Sequence, residues 1–168
     1  MQKLVKEFME VFGQLPNTLT EEETYKLRVA LIQEEAAELI EAVTDVEELD
    51  ALVDLAYVLY GTYIHMNIPH IDTEHLYYDK EITAQEIFDA AMNIDAETLD
   101  SDLDEVLGLV TTYAQKYNFE GAFKEVHRSN MSKLGLDGKP VKRLDGKILK
   151  GPSYSAPNLI PFVQKNFA

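Results

Sequence analysis

No cysteine occurs among the 168 residues, which excludes a disulfide framework, a thiolate zinc site and a cysteine nucleophile, and fits a reducing compartment. No apolar run reaches the roughly 18 to 20 uncharged residues that a membrane span needs. The opening MQKLVKEFMEVFG places Lys6, Glu7 and Glu10 where a secretory signal requires an apolar stretch, so a cytoplasmic location is the expectation. Several catalytic signatures are also missing. There is no GxxxxGK[ST] loop, Gly135-Leu-Asp-Gly138-Lys139 having the wrong spacing, no Gly-x-Ser-x-Gly elbow, and no Glu-x-x-His pair of the helical di-iron kind. Positive charge is scarce: 15 Lys and Arg stand against 30 Asp and Glu, and the resulting net charge of −15 disfavours a nucleic-acid backbone as partner.

What is present suffices for one domain with a real core, 46% of the residues being hydrophobic. The pattern predicts an all-α chain. A short amphipathic helix covers 3–13, and Thr20 with Glu23 makes a capping-box spacing that opens a second helix to about Thr44. A third runs from about Val46 to Met66, a fourth over 84–92, a fifth over 97–117 and a sixth over 120–134. Beyond Gly135 the character changes. LDGK occurs at 136–139 and again at 144–147, and Asp145-Gly146 is a hairpin-turn signal, so an irregular or hairpin-like arm is expected over about 135–168. Between Gly121 and Lys150 there are eight Lys or Arg against three Asp or Glu. One basic region on an acidic chain suits a small polyanion held through metal ions on one side and cations on the other.

The third helix, EELDALVDLAYVLYGTYI, is apolar nearly all round yet carries Asp50 and Asp54. Taking roughly 100° per residue, Asp50 lies about 40° to one side of Asp54 and Glu47 about 20° to the other, with His65 about 20° further along. A buried carboxylate without a partner costs several kcal/mol, so these acids need a counter-charge. The second helix carries QEEAAELIEA. There Glu34, Glu38, Glu41 and Asp45 form a stripe opposite the apolar arc, while Glu35 falls at the edge of the buried surface, so Glu35 and Glu38 can aim at one point. Two helices joined by a two-residue turn at Asp45 and Val46 must pack as an antiparallel hairpin. If their acidic faces meet, an oxygen-only donor set selects hard Mg²⁺ or Mn²⁺ over zinc. Such ions are the equipment for phosphoryl transfer to water. The plainer alternative is a solvated acidic stripe on a non-catalytic helical interaction protein.

Glu34-Glu35-Ala-Ala-Glu38 followed by a second acidic helix resembles the EExxE…ExxD signature of the all-α nucleoside triphosphate pyrophosphohydrolases, the MazG-like group that includes the dimeric dUTPases and phosphoribosyl-ATP pyrophosphohydrolase. VHRSNMSKLGLDGKPVKRLDGKILKGPSY, residues 126–154, is similar to a branch with phage-encoded enzymes on purine deoxynucleotides, including the MazZ type that acts on (d)GTP. The likeness covers about 25–68 and 119–158; the stretch from about 70 to 118 looks like a helical insertion. It implies a single MazG-like domain over 1–168 and cleavage of a (d)NTP, dGTP, GTP or another purine deoxynucleotide, to (d)NMP and pyrophosphate. A housecleaning or phosphoribosyl-ATP enzyme with another base is the alternative. It implies two or three Mg²⁺ or Mn²⁺ ions on Glu35, Glu38, Asp50 and Asp54, with Glu34 as a further ligand or base, and a homo-oligomer, dimer or tetramer, since one hairpin cannot cover faces this apolar. The signature's first acid in ExxD corresponds to Ala51, so Asp50, or Glu47 in another register, takes its place. Asn130-x-x-Lys133 looks like the group's substrate motif, with Lys133 on phosphate and Asn130 on sugar or phosphate. Arg128, Arg143, Lys147, Lys150 and Tyr154 are further candidates, and His127 is either a candidate or a packed histidine.

Overall fold

The computed structural model describes residues 1–69, 77–144 and 148–164. Among them are α1 (Gln2–Val11), α2 (Glu21–Glu41), α3 (Asp45–His65), α4 (Ala84–Met92), α5 (Leu99–Tyr113) and α6 (Phe119–Met131), with single 3-10 turns at Ala114–Lys116 and Ile160–Phe162. The expected all-α class is the observed one. Thr20 caps α2 through the Glu23 amide while Glu23 reaches back to the Thr20 amide, satisfying two otherwise orphaned helix donors.

The hairpin between α2 and α3 differs from its sequence reading. α2 ends at Glu41, three residues short of Thr44, and the link is Ala42, Val43 and Thr44 rather than Asp45 and Val46. A second capping box causes this: Thr44 accepts from the Glu47 amide, and Glu47 Oε2 accepts from the amides of Val43 and Thr44, each at 3.0 Å. Glu47 is thereby turned back over the helix end and exposed, away from the face shared by Asp50 and Asp54. Its backbone and side-chain donors hold its carboxyl below the ordinary value.

α3 is the axis of the molecule. α2 runs along it, α1, α5 and α6 cover the remaining sides, and α4 bridges α2 and α5. Its Leu49, Leu52, Leu55 and Leu59 are fully buried, each leucine worth about 1.5–3 kcal/mol in removed apolar surface. The apolar circumference that implied an oligomer is therefore covered by this chain's own helices. α4 and α5, the expected insertion, contribute Ile87, Leu103, Val106 and Val110 to the same continuous core; residues 70–76 of that stretch lie outside the described residues.

One carboxylate shows how the packing is pinned. Glu48 accepts from Tyr113 Oη at 2.8 Å and Tyr117 Oη at 2.5 Å and pairs with Lys116, fastening the start of α3 to the end of α5. Burial alone raises its pKa, but the donors Lys116, Tyr117 and Tyr113 outweigh it and the net direction is down.

Leu134 pairs with Pro140 and Lys142 with Ile148 in isolated antiparallel bridges. The first LDGK forms the turn between the first pair, with Gly138 at φ +73° and the Gly135 amide donating to the Lys139 carbonyl at 2.8 Å. The second LDGK falls between Lys142 and Ile148, but Asp145, Gly146 and Lys147 lie outside the described residues. The arm then returns along α6. The Gly151 amide donates to the Lys133 carbonyl at 3.1 Å, and a Cβ at Gly151 would stand 2.4 Å from the Leu134 carbonyl oxygen, so only glycine allows this approach. Leu159 is buried against the core. No helix among the described residues is long and apolar enough to cross a membrane.

A carboxylate cluster on α2 and α3 with a cationic edge from α6

α2 packs on α3, and across that contact Glu35 interacts electrostatically with Asp54 and Asp50, and Glu38 with Asp54. Burial raises the Glu35 pKa first, then repulsion from Asp54, Glu38, Glu34 and Asp50 in that order, to about 8. Every influence on it acts in the same direction, unlike Glu48, where donors reverse the effect of burial. Burial likewise raises Asp54, with Asp50 and Glu38 adding to it and Lys133 opposing, to about 7. Asp50 is raised by burial. Glu34 and Glu38 are exposed, and Glu35, Asp50 and Asp54 are partly buried. These acids act on one another through their charges, and among the described residues Glu35, Asp50 and Asp54 lack the hydrogen-bond donors that Glu48 collects.

The cationic edge comes from α6 and the first residues after it. Lys133 Nζ donates to Asn130 Oδ1 at 2.7 Å and acts electrostatically on Asp54. Asn130 in turn acts on Tyr57 as a side-chain donor that opposes the effect of burial on its hydroxyl, and Tyr57 sits one turn along α3 from Asp54. Tyr57 Oη lies 2.9 Å from His127 Nδ1, and His127 Nε2 lies 3.2 Å from Glu7 Oε2 on α1. With the Nε2 proton directed at Glu7, His127 Nδ1 accepts the tyrosine proton, the Tyr57 oxygen accepts from the Asn130 amide, and Asn130 Oδ1 is left for Lys133. Burial drives the Tyr57 pKa well above its ordinary value, so the hydroxyl stays protonated. Tyr57 and Glu7 were not legible as site residues, and for His127 the sequence left a site role and a packed histidine both open. Their connection joins helices that lie 70 and 120 residues apart in sequence.

The remaining candidates occupy the arm's own network. Arg128 makes two bonds to Glu125, at 2.8 and 2.7 Å, holds that carboxyl at about 2, and donates to the Ala156 carbonyl at 3.1 Å. Lys150 Nζ stands 4.6 Å over the Tyr154 ring. Arg143 is exposed on the arm, and Lys147 lies outside the described residues. His65, expected on the acid face, places Nε2 3.1 Å from the Gln14 carbonyl at the end of α1 instead.

Among the described residues no three Asp, Glu or His side chains stand close enough together to enclose a metal ion. The donor chemistry nevertheless fits a hard divalent cation. It is all oxygen, and its acids are pushed toward the neutral form by burial and mutual repulsion, the conflict a dication relieves. Rotation of carboxylate side chains is the movement that closure on an ion requires. A separate cleft of about 780 Å³ lies between residues 78–84 and 112–116, but its cations Lys80 and Lys116 are already paired, with Glu86 and Glu48.

Residues 5–77, a range that takes in α2 and α3, match the family model described as phosphoribosyl-ATP pyrophosphohydrolase. This match supports the all-α nucleoside triphosphate pyrophosphohydrolase superfamily and a nucleotide pyrophosphohydrolase-type activity. Over more of its length the chain is similar to the uncharacterized protein L479 of Acanthamoeba polyphaga mimivirus, 29% identical over 178 residues, covering 79% of this chain and 70% of that protein. No solved structure matches.

Proposed function

We infer that the chain hydrolyses a nucleoside or deoxynucleoside triphosphate between the α and β phosphates, releasing the monophosphate and pyrophosphate, with a purine deoxynucleotide such as dGTP as the favoured substrate. The observation that supports this is the mutual repulsion among Glu35, Glu38, Asp50 and Asp54 across α2 and α3, with the Lys133 ammonium acting against it on Asp54. Glu35, Glu38, Asp50 and Asp54 would hold Mg²⁺ or Mn²⁺, which when bound supplies polarisation of phosphoryl oxygens and an acidified water. Lys133 holds a phosphate oxygen as a point charge, and Asn130, fixed by Tyr57, orients that ammonium. Glu34, adjacent and exposed, serves as a further ligand or accepts the proton of the attacking water.

A second substrate is favoured by the family description itself: phosphoribosyl-ATP, or a non-standard nucleotide in a housecleaning role. A homo-oligomer belongs to this reading too, carried by the exposed Leu27, Ile40 and Val43 on and just beyond α2; size-exclusion chromatography with light scattering tests it. The deciding experiment incubates the protein with each of the eight common NTPs and dNTPs and with phosphoribosyl-ATP, plus Mg²⁺ or Mn²⁺, and quantifies pyrophosphate. Orthophosphate as the first product would overturn α–β cleavage. No turnover, with no cation-dependent rise in melting temperature, would leave the acids as a solvated stripe on an interaction protein.

A further inference from the structure

Among the described residues, a buried guanidinium on α2 has no carboxylate to balance it. Arg28 is 7% exposed, and its bonds run from Nε to Thr62 Oγ1 at 3.0 Å and from Nη2 to the Val58 carbonyl at 2.5 Å. Among the described residues two of its five N–H donors are thus used, and burial lowers its pKa, to about 10, with no acidic neighbour there opposing it. A charge held this way normally has a partner.

The surroundings are shaped to keep it there. A Cβ at Gly61 would stand 2.5 Å from Arg28 Nη2, so the glycine makes the room in which the guanidinium lies. Beside it is a cavity of about 170 Å³ walled by Phe8, Leu31, Tyr57 and Val58, with Arg28 and Gln14 supplying polar groups. That is slightly more than the ~150 Å³ apolar cavity that accepts a benzene ring. Phe8 and Tyr57 meet edge to face at 5.7 Å, so two aromatic rings border the space. A free phosphate would meet one cation among apolar walls. A flat heterocycle would bury its faces on them and turn one polar edge to the arginine.

The position relative to the acids sets the scale. Arg28 precedes Glu35 by seven residues on α2, and Gly61 follows Asp54 by seven on the antiparallel α3. Both ends lie on the α2–α3 seam, about 10 Å apart at 1.5 Å per residue, on the order of a nucleoside's length. Resting on the nucleotide reading above, we propose that this cavity is the nucleobase pocket and that Arg28 selects a 6-oxopurine, its unused N–H groups donating to the carbonyl oxygen and the adjacent ring nitrogen. Arginine meets guanine O6 and N7 in this two-pronged way, whereas adenine presents an amino donor at the same place. Gly61 is the positioning residue that admits the guanidinium.

The test compares kcat/KM on dGTP, GTP and ITP with that on dATP and ATP for the wild type, Arg28→Met, Arg28→Lys and Gly61→Ala. Thermal shift with guanosine alone, which needs neither phosphate nor metal, runs alongside. The wild type is expected to favour the 6-oxopurines. Each variant is expected to lose that preference by roughly ten- to a hundredfold, the range of one bidentate base contact, mainly through KM, and to lose the guanosine shift. Arg28→Lys keeps the charge and guards against loss of fold. Equal losses on both purine classes, a wild-type preference for adenine or pyrimidine nucleotides, or an unaltered guanosine shift in Arg28→Met would overturn the pocket. If the wild type hydrolyses no nucleotide yet shows a guanosine shift that depends on Arg28, the pocket stands and the hydrolase reading fails; hydrolysis without base preference does the reverse.

Discussion

Lys133 donates to Asn130 at 2.7 Å and, through its charge, opposes the burial that raises Asp54. One ammonium thus links the amide that orients it to the acid it faces, bringing the chain after α6 to the seam between α2 and α3. Replacing Lys133 with Ala is expected to lower kcat/KM by roughly a hundredfold, the usual cost of losing one positioned donor to a transferring phosphoryl group. The same change should push the Asp54 pKa higher, readable in the carboxyl resonances of the labelled protein.

Asp54→Asn separates stability from function. The substitution removes a carboxylate that burial and Asp50 already disfavour, so the metal-free protein should gain about 1 kcal/mol or more. For a chain of this size that is a rise of roughly 2–4 °C in melting temperature. Pyrophosphate release should fall by at least roughly a hundredfold. Wild-type turnover in this variant would remove Asp54 from the site.

Folding should be linked to pH through the same acids. Glu35 at about 8 and Asp54 at about 7 both lie above their unfolded values of 4.5 and 3.8. Between those limits the folded state binds more protons than the unfolded state, so stability declines as pH rises from about 4 to 8. Urea unfolding in EDTA at pH 5 and at pH 8.5 is expected to show the lower midpoint at pH 8.5. Millimolar Mg²⁺ should recover most of the difference, because a cation compensates the ionised forms. A midpoint insensitive to both pH and Mg²⁺ would contradict convergence of the acids.

Tyr57→Phe removes the hydroxyl between His127 and Asn130. Leaving the buried His127 unmatched should cost about 1–3 kcal/mol of stability. Asn130 then loses its fixed orientation, and KM should rise several-fold more than kcat falls. Glu7→Gln keeps a hydrogen-bond acceptor for His127 and should change KM less than Tyr57→Phe does.

Gly151→Ala tests how the arm is seated. Its Cβ would stand 2.4 Å from a backbone oxygen that cannot rotate aside, so the arm should detach from residues 133–134 while the helices stay folded. Limited trypsin digestion is expected to cleave within 139–150 faster in this variant, with an unchanged far-ultraviolet dichroism spectrum.

Much of this was written locally in the chain. Thr20 with Glu23 opens α2, the apolar periodicity marks α3, and the three-residue spacing of Glu35 and Glu38 sets both acids toward one side, because capping and helical period act over a few residues. The same rules were available at Thr44 and Glu47, and the capping box there moved the turn and removed Glu47 from contention. Which acids remain uncompensated was decided only in three dimensions. Glu48 is satisfied by Tyr113, Lys116 and Tyr117 from more than 60 residues away, whereas Glu35 receives only further negative charge. Arg28 carries no signal in the sequence and is buried beside Gly61 only once α3 packs on α2, and the choice left open for His127 is decided only when Tyr57 and Glu7 close on it. Helical pattern and residue spacing are properties of neighbours along the chain. Burial and counter-charge are properties of neighbours across it, and those set the pKa values and the pocket.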